Sequence, residues 1–198
     1  MENGQKGDHR MGQTAYLFLA DGFEVIEALT VVDLLRRADI PVRTVSITGK
    51  KEVTSSHSVT VTADILYSEA DFDTASMLIL PGGMPGTKNL EAYEPLMARL
   101  DEWNGAGKNI AAICAAPSIF AHRGYLKGKD ACSYPSFEEH LAAGGANVNR
   151  NEVTVCGHMI MARGMGCAIP FGLAIVERLL DRQTAERIKT GIVYEQRA

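Results

Sequence analysis

A chain of 198 residues, 46% hydrophobic and 22% charged, has the length of one globular domain and can bury a core without a disulfide or metal staple. Its formal charge is -4 with no basic run, which argues against nucleic acid as the main partner, because phosphate binding needs clustered Lys and Arg. No stretch approaches the roughly 18 apolar residues of a membrane span, and no membrane partner is expected.

The polar leader 1–10 has no apolar core of the signal-peptide kind. It reads as an extension, with a single domain over 11–198. Cys114, Cys132, Cys156 and Cys167 match no zinc spacing. They read as free thiols, with the cytoplasm as the default compartment.

Ala15–Ala20 reads as a buried strand. Phe23–Ala38 follows with apolar residues at helical spacing and Arg36 and Arg37 in its last turn, where cations suit the helix dipole. Pro41–Ile47 is a second strand. Glu52–Val53 and Val59–Thr62 alternate around a turn as a small hairpin. Met77–Leu80 is a buried strand that runs into Pro81-Gly82-Gly83. Glu91–Trp103 is amphipathic. Asn109–Ile113 is a strand and Ala115–His122 its following helix. Val153–Val155 and Met159–Met161 are late strands; Cys167–Leu180 and Thr184–Gly191 are closing helices. This rhythm of strand and helix implies an α/β fold with a mostly parallel sheet covered on both faces.

Three segments carry chemistry. In Ala111-Ala112-Ile113-Cys114-Ala115-Ala116-Pro117 an apolar strand runs straight into a cysteine and then a helix start. Small residues flank the cysteine, as a tight nucleophile elbow requires. A thiol there is expected to be held as thiolate by the helix N-terminus. Gly82 and Gly83 lie in a turn after another buried strand, where the Gly83 and Ala115 N–H groups are placed to form an oxyanion hole. In Asp21-Gly22-Phe23-Glu24-Val25-Ile26-Glu27 the two glutamates share a face at the start of the first helix. One of them is expected to reach the cysteine as acid or base. Each segment by itself also fits a bland reading: a small buried thiol, a glycine turn, acids serving the helix dipole.

Taken in order, these segments, with Ala162-Arg163-Gly164-Met165-Gly166 and Phe171-Gly172-Leu173-Ala174-Ile175-Val176-Glu177, resemble the DJ-1/ThiJ/PfpI superfamily over nearly the whole chain from about Met11. The resemblance implies a flavodoxin-like three-layer sandwich, usually a homodimer. It implies that Cys114 is the reactive cysteine, that Glu27 hydrogen-bonds its sulfur, and that Gly83 and Ala115 supply backbone donors, with Glu24 and Gly82 in support. It implies a glyoxalase III-type or deglycase-like activity on small α-oxoaldehydes, or a chaperone or oxidative-stress sensor role.

Two departures stand out. Ala115 follows Cys114 where protease-like branches carry His, which argues against peptidase activity. Tyr134 stands before Pro135 where a histidine often precedes proline in the DJ-1 type; tyrosine is a poor base near neutral pH, so proton shuttling falls to Glu27. His57, in the hairpin, is a candidate to approach a partner subunit's site. His140 and His158 read as surface or core-edge residues. No His, Asp or Glu cluster has metal-ligand spacing and no nucleotide motif is present, so neither a catalytic metal nor a cofactor is expected.

Overall fold

Alternating apolar strands and helices build a layered α/β structure in the computed structural model, which describes residues 14–194. The extension expected at 1–10 lies outside those residues. In chain order the elements are β1 (Thr14–Leu19), α1 (Val25–Arg37), β2 (Val42–Ser46), β3 (Glu52–Thr54), β4 (Thr60–Thr62), β5 (Ile65–Leu66), β6 (Ala75–Leu80), α2 (Gly86–Glu91), α3 (Glu94–Gly105), β7 (Ile110–Ile113), α4 (Pro117–His122), β8 (Asp130–Ala131), α5 (Glu138–Ala143), β9 (Asn147–Val148), β10 (Val153–Cys156), β11 (Met159–Ala162), α6 (Ala168–Leu179) and α7 (Arg182–Gly191).

Seven strands form the main sheet in the order β10-β11-β7-β6-β1-β2-β5. Every pairing is parallel except that of the edge strand β10 with β11. This is the flavodoxin-like arrangement the sequence implies. The chain passes from β1 to β2 on one side and then returns to β6 on the other, so the order reverses between β1 and β6. Open α/β sheets bind ligands beside such a reversal, at the carboxyl ends of the strands. Register places Leu17 opposite Ile79, Ile79 opposite Ala111, and Ile113 opposite Ala162. The loops after β1, β6, β7 and β11 therefore leave one edge side by side.

Side-chain alternation along the strands feeds two cores. Leu17, Leu19, Ile79, Ala111 and Ile160 pack with Leu34 and Leu35 of α1, Phe171 and Ile175 of α6 and Ile188 of α7. Tyr16, Phe18, Leu78, Leu80 and Met161 pack on the other face with Leu96 and Trp103 of α3 and Phe120 of α4. Parallel strands buried on both faces read as continuous apolar runs for this reason. The hairpin forms as expected, with Val53 paired to Val61. No helix among the described residues is long and apolar enough to cross a membrane.

Several boundaries differ from the sequence reading, each for a local reason. The amphipathic stretch at Glu91–Trp103 is helical only from Glu94, in α3; Glu91 is the last residue of the separate helix α2, and the chain breaks at Ala92 and Tyr93. Pro95 has no N–H to return to the Glu91 carbonyl, so α2 stops, and the proline sits instead in the first turn of α3. The elbow helix starts at Pro117 rather than Ala115, because Cys114 to Ala116 make the turn. The short helix α5, the edge strand β5 and the two-stranded sheet β8–β9 were not anticipated; segments this short carry little periodicity.

Candidate active site

The strand β7 ends in a sharp turn at Cys114, whose φ is 66°. A side-chain-bearing residue adopts this left-handed backbone rarely, and only where its surroundings impose it. Here the turn is pinned from both sides. The Cys114 N–H donates to the Ala162 carbonyl at 2.9 Å, and the Tyr134 N–H donates to the Cys114 carbonyl at 2.8 Å. Ala115 and Ala116 are buried, so larger side chains would have no room beside the turn. The cysteine is half-buried at the carboxyl edge of the sheet.

The first helix brings a carboxyl group to the sulfur. Glu24 caps α1, its side chain accepting from the Glu27 N–H at 2.7 Å. The Glu24 N–H donates to the Gly82 carbonyl at 2.9 Å, which ties the helix start to the glycine turn. Glu27 then points inward, 1% exposed. Its Oε2 accepts from the Gly82 N–H at 2.9 Å, and its carboxyl group is hydrogen-bonded to Cys114. Its Oε1 is buried without a partner.

Glycine at position 82 is what permits the approach. A Cβ there would lie 2.5 Å from the Cys114 Cβ and 2.7 Å from Glu27 Oε2, closer than atoms can pack. Gly83 has φ 89° and a Cβ on it would meet the Glu24 nitrogen at 2.4 Å. The two loops thus touch backbone to backbone, and the Gly83 and Ala115 N–H groups reach the Cys114 sulfur.

Electrostatics here depart from the helix-terminus expectation. Burial, and then the Glu27 charge, push the Cys114 thiol up to about 12, against the opposing pull of the Gly83 and Ala115 N–H groups. The sulfur lies ahead of a six-residue helix, and desolvation outweighs the dipole. Burial also raises Glu27 from 4.5 to about 7, although its hydrogen bonds to Cys114 and Gly82 lower it and Glu24 raises it further. The resting pair is therefore a neutral thiol beside a carboxyl group that holds its proton well above the usual carboxylate range.

Other sequence candidates fall at varying distance from this pair. Tyr134 holds the elbow through its main-chain N–H. The residue is 48% exposed, and its ring lies over Gly164, where a Cβ would meet it at 3.4 Å. His57 is exposed and bonded to Ser56, not to Cys114 or Glu27. Cys132 is sealed in the core and donates to the Met161 carbonyl. Sequence reasoning missed Ala162, whose carbonyl anchors the elbow, and Arg163, paired to Glu138 at 3.2 Å with its Nε buried. The β7–β11 register that brings Ala162 to Cys114 is invisible in one dimension.

A family model described as the DJ-1/PfpI family matches residues 13–178. The chain belongs to that family. It is 34% identical over 176 residues to Protein DJ-1 homolog B of Arabidopsis thaliana, covering 88% of this chain and 40% of that protein. It is 32% identical over 183 residues to Protein dj-1beta of Drosophila melanogaster, covering 92% and 98%. The chain spans less than half the length of the two Arabidopsis relatives, 40% and 46%, and nearly all of the fly protein. The structure of oxidized DJ-1 from Toxoplasma gondii superposes with a TM-score of 0.87 at 32% identity, covering 93% of this chain and 100% of that one. A protein of Thermococcus kodakarensis named as a deglycase is 30% identical over 147 residues, covering 74% of this chain and 87% of that protein.

Proposed function

We propose that this DJ-1/PfpI family protein is a cysteine-dependent enzyme acting on small α-oxoaldehydes without a cofactor. The observation that carries the reading is the Cys114–Glu27 pair, a nucleophile hydrogen-bonded to a buried carboxyl group and to two main-chain N–H groups. A relative named as a deglycase supports chemistry of the same class.

The resting arrangement suits general-base attack. Glu27 accepts the Cys114 proton as the sulfur adds to the aldehyde carbon, and the C=O electron pair moves to oxygen. The Gly83 and Ala115 N–H groups stabilise that oxygen until Glu27 returns the proton. The product is a hemithioacetal. Glu27, again a carboxylate, takes the proton from the former aldehyde carbon, giving an enediolate; the remaining hydroxyl proton passes to the neighbouring oxygen, and Glu27 delivers its proton to the neighbouring carbon. The result is a 2-hydroxy thioester. Water cleaves the thioester, releasing the hydroxy acid and restoring the thiol. The buried Oε1, which has no hydrogen-bond partner at rest, is free to carry the moving proton. Replacing Cys114 with Ser is expected to abolish glutathione-free turnover of methylglyoxal. Full activity in that variant would end the proposal.

A second reading, a stress sensor, draws on the same contacts. Stepwise oxidation of the Cys114 sulfur by two equivalents of peroxide gives a sulfinate and two waters, and a protonated Glu27 can donate to it. Mass spectrometry after mild peroxide decides between them: selective addition of two oxygens at Cys114 with no aldehyde turnover favours the sensor. We also propose a homodimer through α1 and the β3–β4 hairpin, where Ile26, Leu29 and Val59 are exposed. Light scattering showing only monomer at micromolar concentration would refute it.

A further inference from the structure

At the far end of α4 from Cys114, three side chains from three helices make a hydrogen-bonded chain. His122, the last residue of α4, has its Nδ1 2.6 Å from Glu91 Oε1, at the end of α2. Its Nε2 is 2.9 Å from His140 Nδ1, on α5. The chain is open to water, with the His122 side chain 40% and the Glu91 side chain 32% exposed. Phe137 stacks on the His140 ring, centroids 5.4 Å apart at 30°, which limits that ring's rotation.

Protonation logic sets which lone pairs are available. An ionised carboxylate only accepts, so neutral His122 carries its proton on Nδ1 and presents a lone pair at Nε2. A carboxylate holding the distal nitrogen of an imidazole is the usual support of a metal-ligating histidine, because it selects the tautomer and makes the ligand more basic. His140 Nδ1 faces the same point. Moving its proton to Nε2 leaves a lone pair on each of the two facing nitrogens, with no net proton lost. Two metal–nitrogen bonds of about 2.0–2.1 Å at a right angle place the nitrogens roughly 2.9 Å apart, whereas a tetrahedral angle would place them roughly 3.3 Å apart. The separation of 2.9 Å, set at present by the hydrogen bond between the two rings, is also the one that right-angle coordination requires, so an ion can replace the shared proton with little movement of either ring.

We infer that His122 Nε2 and His140 Nδ1 form a surface site for a divalent transition ion that favours tetragonal coordination, Cu2+ or Ni2+, with Glu91 orienting His122 and water completing the shell. Among the described residues no three His, Cys, Asp or Glu side chains converge as ligands, and this site has two protein ligands with the carboxylate behind one of them. The bound ion joins the end of the elbow helix to α5.

The test is calorimetric titration of the tag-free full chain with Ni2+ alone, which does not oxidise thiols. Wild type, His122→Gln, His140→Gln and Glu91→Gln are compared, together with wild type whose thiols have been alkylated. Wild type and alkylated protein should bind one equivalent alike. Outer-shell partners are typically worth about 10–100-fold in affinity, so Glu91→Gln should weaken binding about tenfold and loss of either imidazole by more. Selective paramagnetic broadening of the His122 and His140 ring protons is expected in the wild type. Wild type that fails to bind below millimolar Ni2+, imidazole variants that bind as well as wild type, or binding abolished by alkylation would each overturn the inference.

Discussion

The two polar clusters at opposite ends of α4 are built on opposite plans. Around Cys114 and Glu27 the main chain does the work: Ala162, Tyr134, Gly82, Gly83 and Ala115 each contribute a backbone group, and the carboxyl group is almost wholly buried. Around His122 the main chain contributes nothing. Three side chains from three helices meet in water. Burial gives the first cluster shifted protonation and intolerance of change. Exposure gives the second a geometry that depends on its own hydrogen bonds, and leaves room for an ion.

Glu27→Gln tests that contrast most strongly. Removing a general base is expected to lower kcat by about 10²–10⁴-fold, with Cys114 still present and titratable by thiol reagents. The wild-type rate should rise with pH through about 7 as Glu27 ionises, and the rise should vanish in the variant. Stability should move the other way. An acid whose folded value is about 7 against 4.5 unfolded makes the folded state hold the extra proton, so wild-type stability falls as pH rises from 4.5 through 7. The loss is on the order of 3 kcal/mol. Urea unfolding at pH 5 and pH 8 should show that fall in wild type and a flat response in Glu27→Gln. Equal slopes would mean that burial does not govern this carboxyl group.

Gly82→Ala comes next. Its Cβ collides with Cys114 and Glu27, and overpacking costs about 1–3 kcal/mol, so a lower urea midpoint is expected together with a lower kcat/KM. A variant as stable and active as wild type would show that the loops have slack. Tyr134→Phe is the smallest. The elbow is held by the Tyr134 N–H, not its hydroxyl group, so kcat/KM and stability should change by no more than about 0.5 kcal/mol, roughly twofold. A tenfold loss would make the hydroxyl a proton donor to substrate. His140→Gln, at the exposed cluster, should leave urea stability within the same margin when no metal is present.

Much of the buried cluster was legible in one dimension, because its constraints are local. The run Ile113-Cys114-Ala115-Ala116 shows a strand ending in a turn with no room for large side chains. Gly82-Gly83 shows a backbone that must be approached closely. Glu24 and Glu27 show a helix start with two acids on one face. What the run could not reveal was the balance of forces on the sulfur. A thiol before a helix suggests ionisation, and only the depth of packing shows that desolvation prevails. The exposed cluster was illegible for a different reason: Glu91, His122 and His140 have no shared spacing, and their meeting depends on how α2, α4 and α5 stack on the sheet.

By itself the amino-acid sequence determined the order of the main strands and helices, the two-faced burial of the sheet and the cysteine at the strand-to-helix turn, since each follows from periodicity and from sterics within a few residues. The tertiary structure alone decided which carbonyl anchors the elbow, which carboxyl oxygen lies buried and unpaired, and which imidazoles face one another. Those depend on strand register and helix packing, and burial energies belong to surfaces that form only when distant segments close on each other.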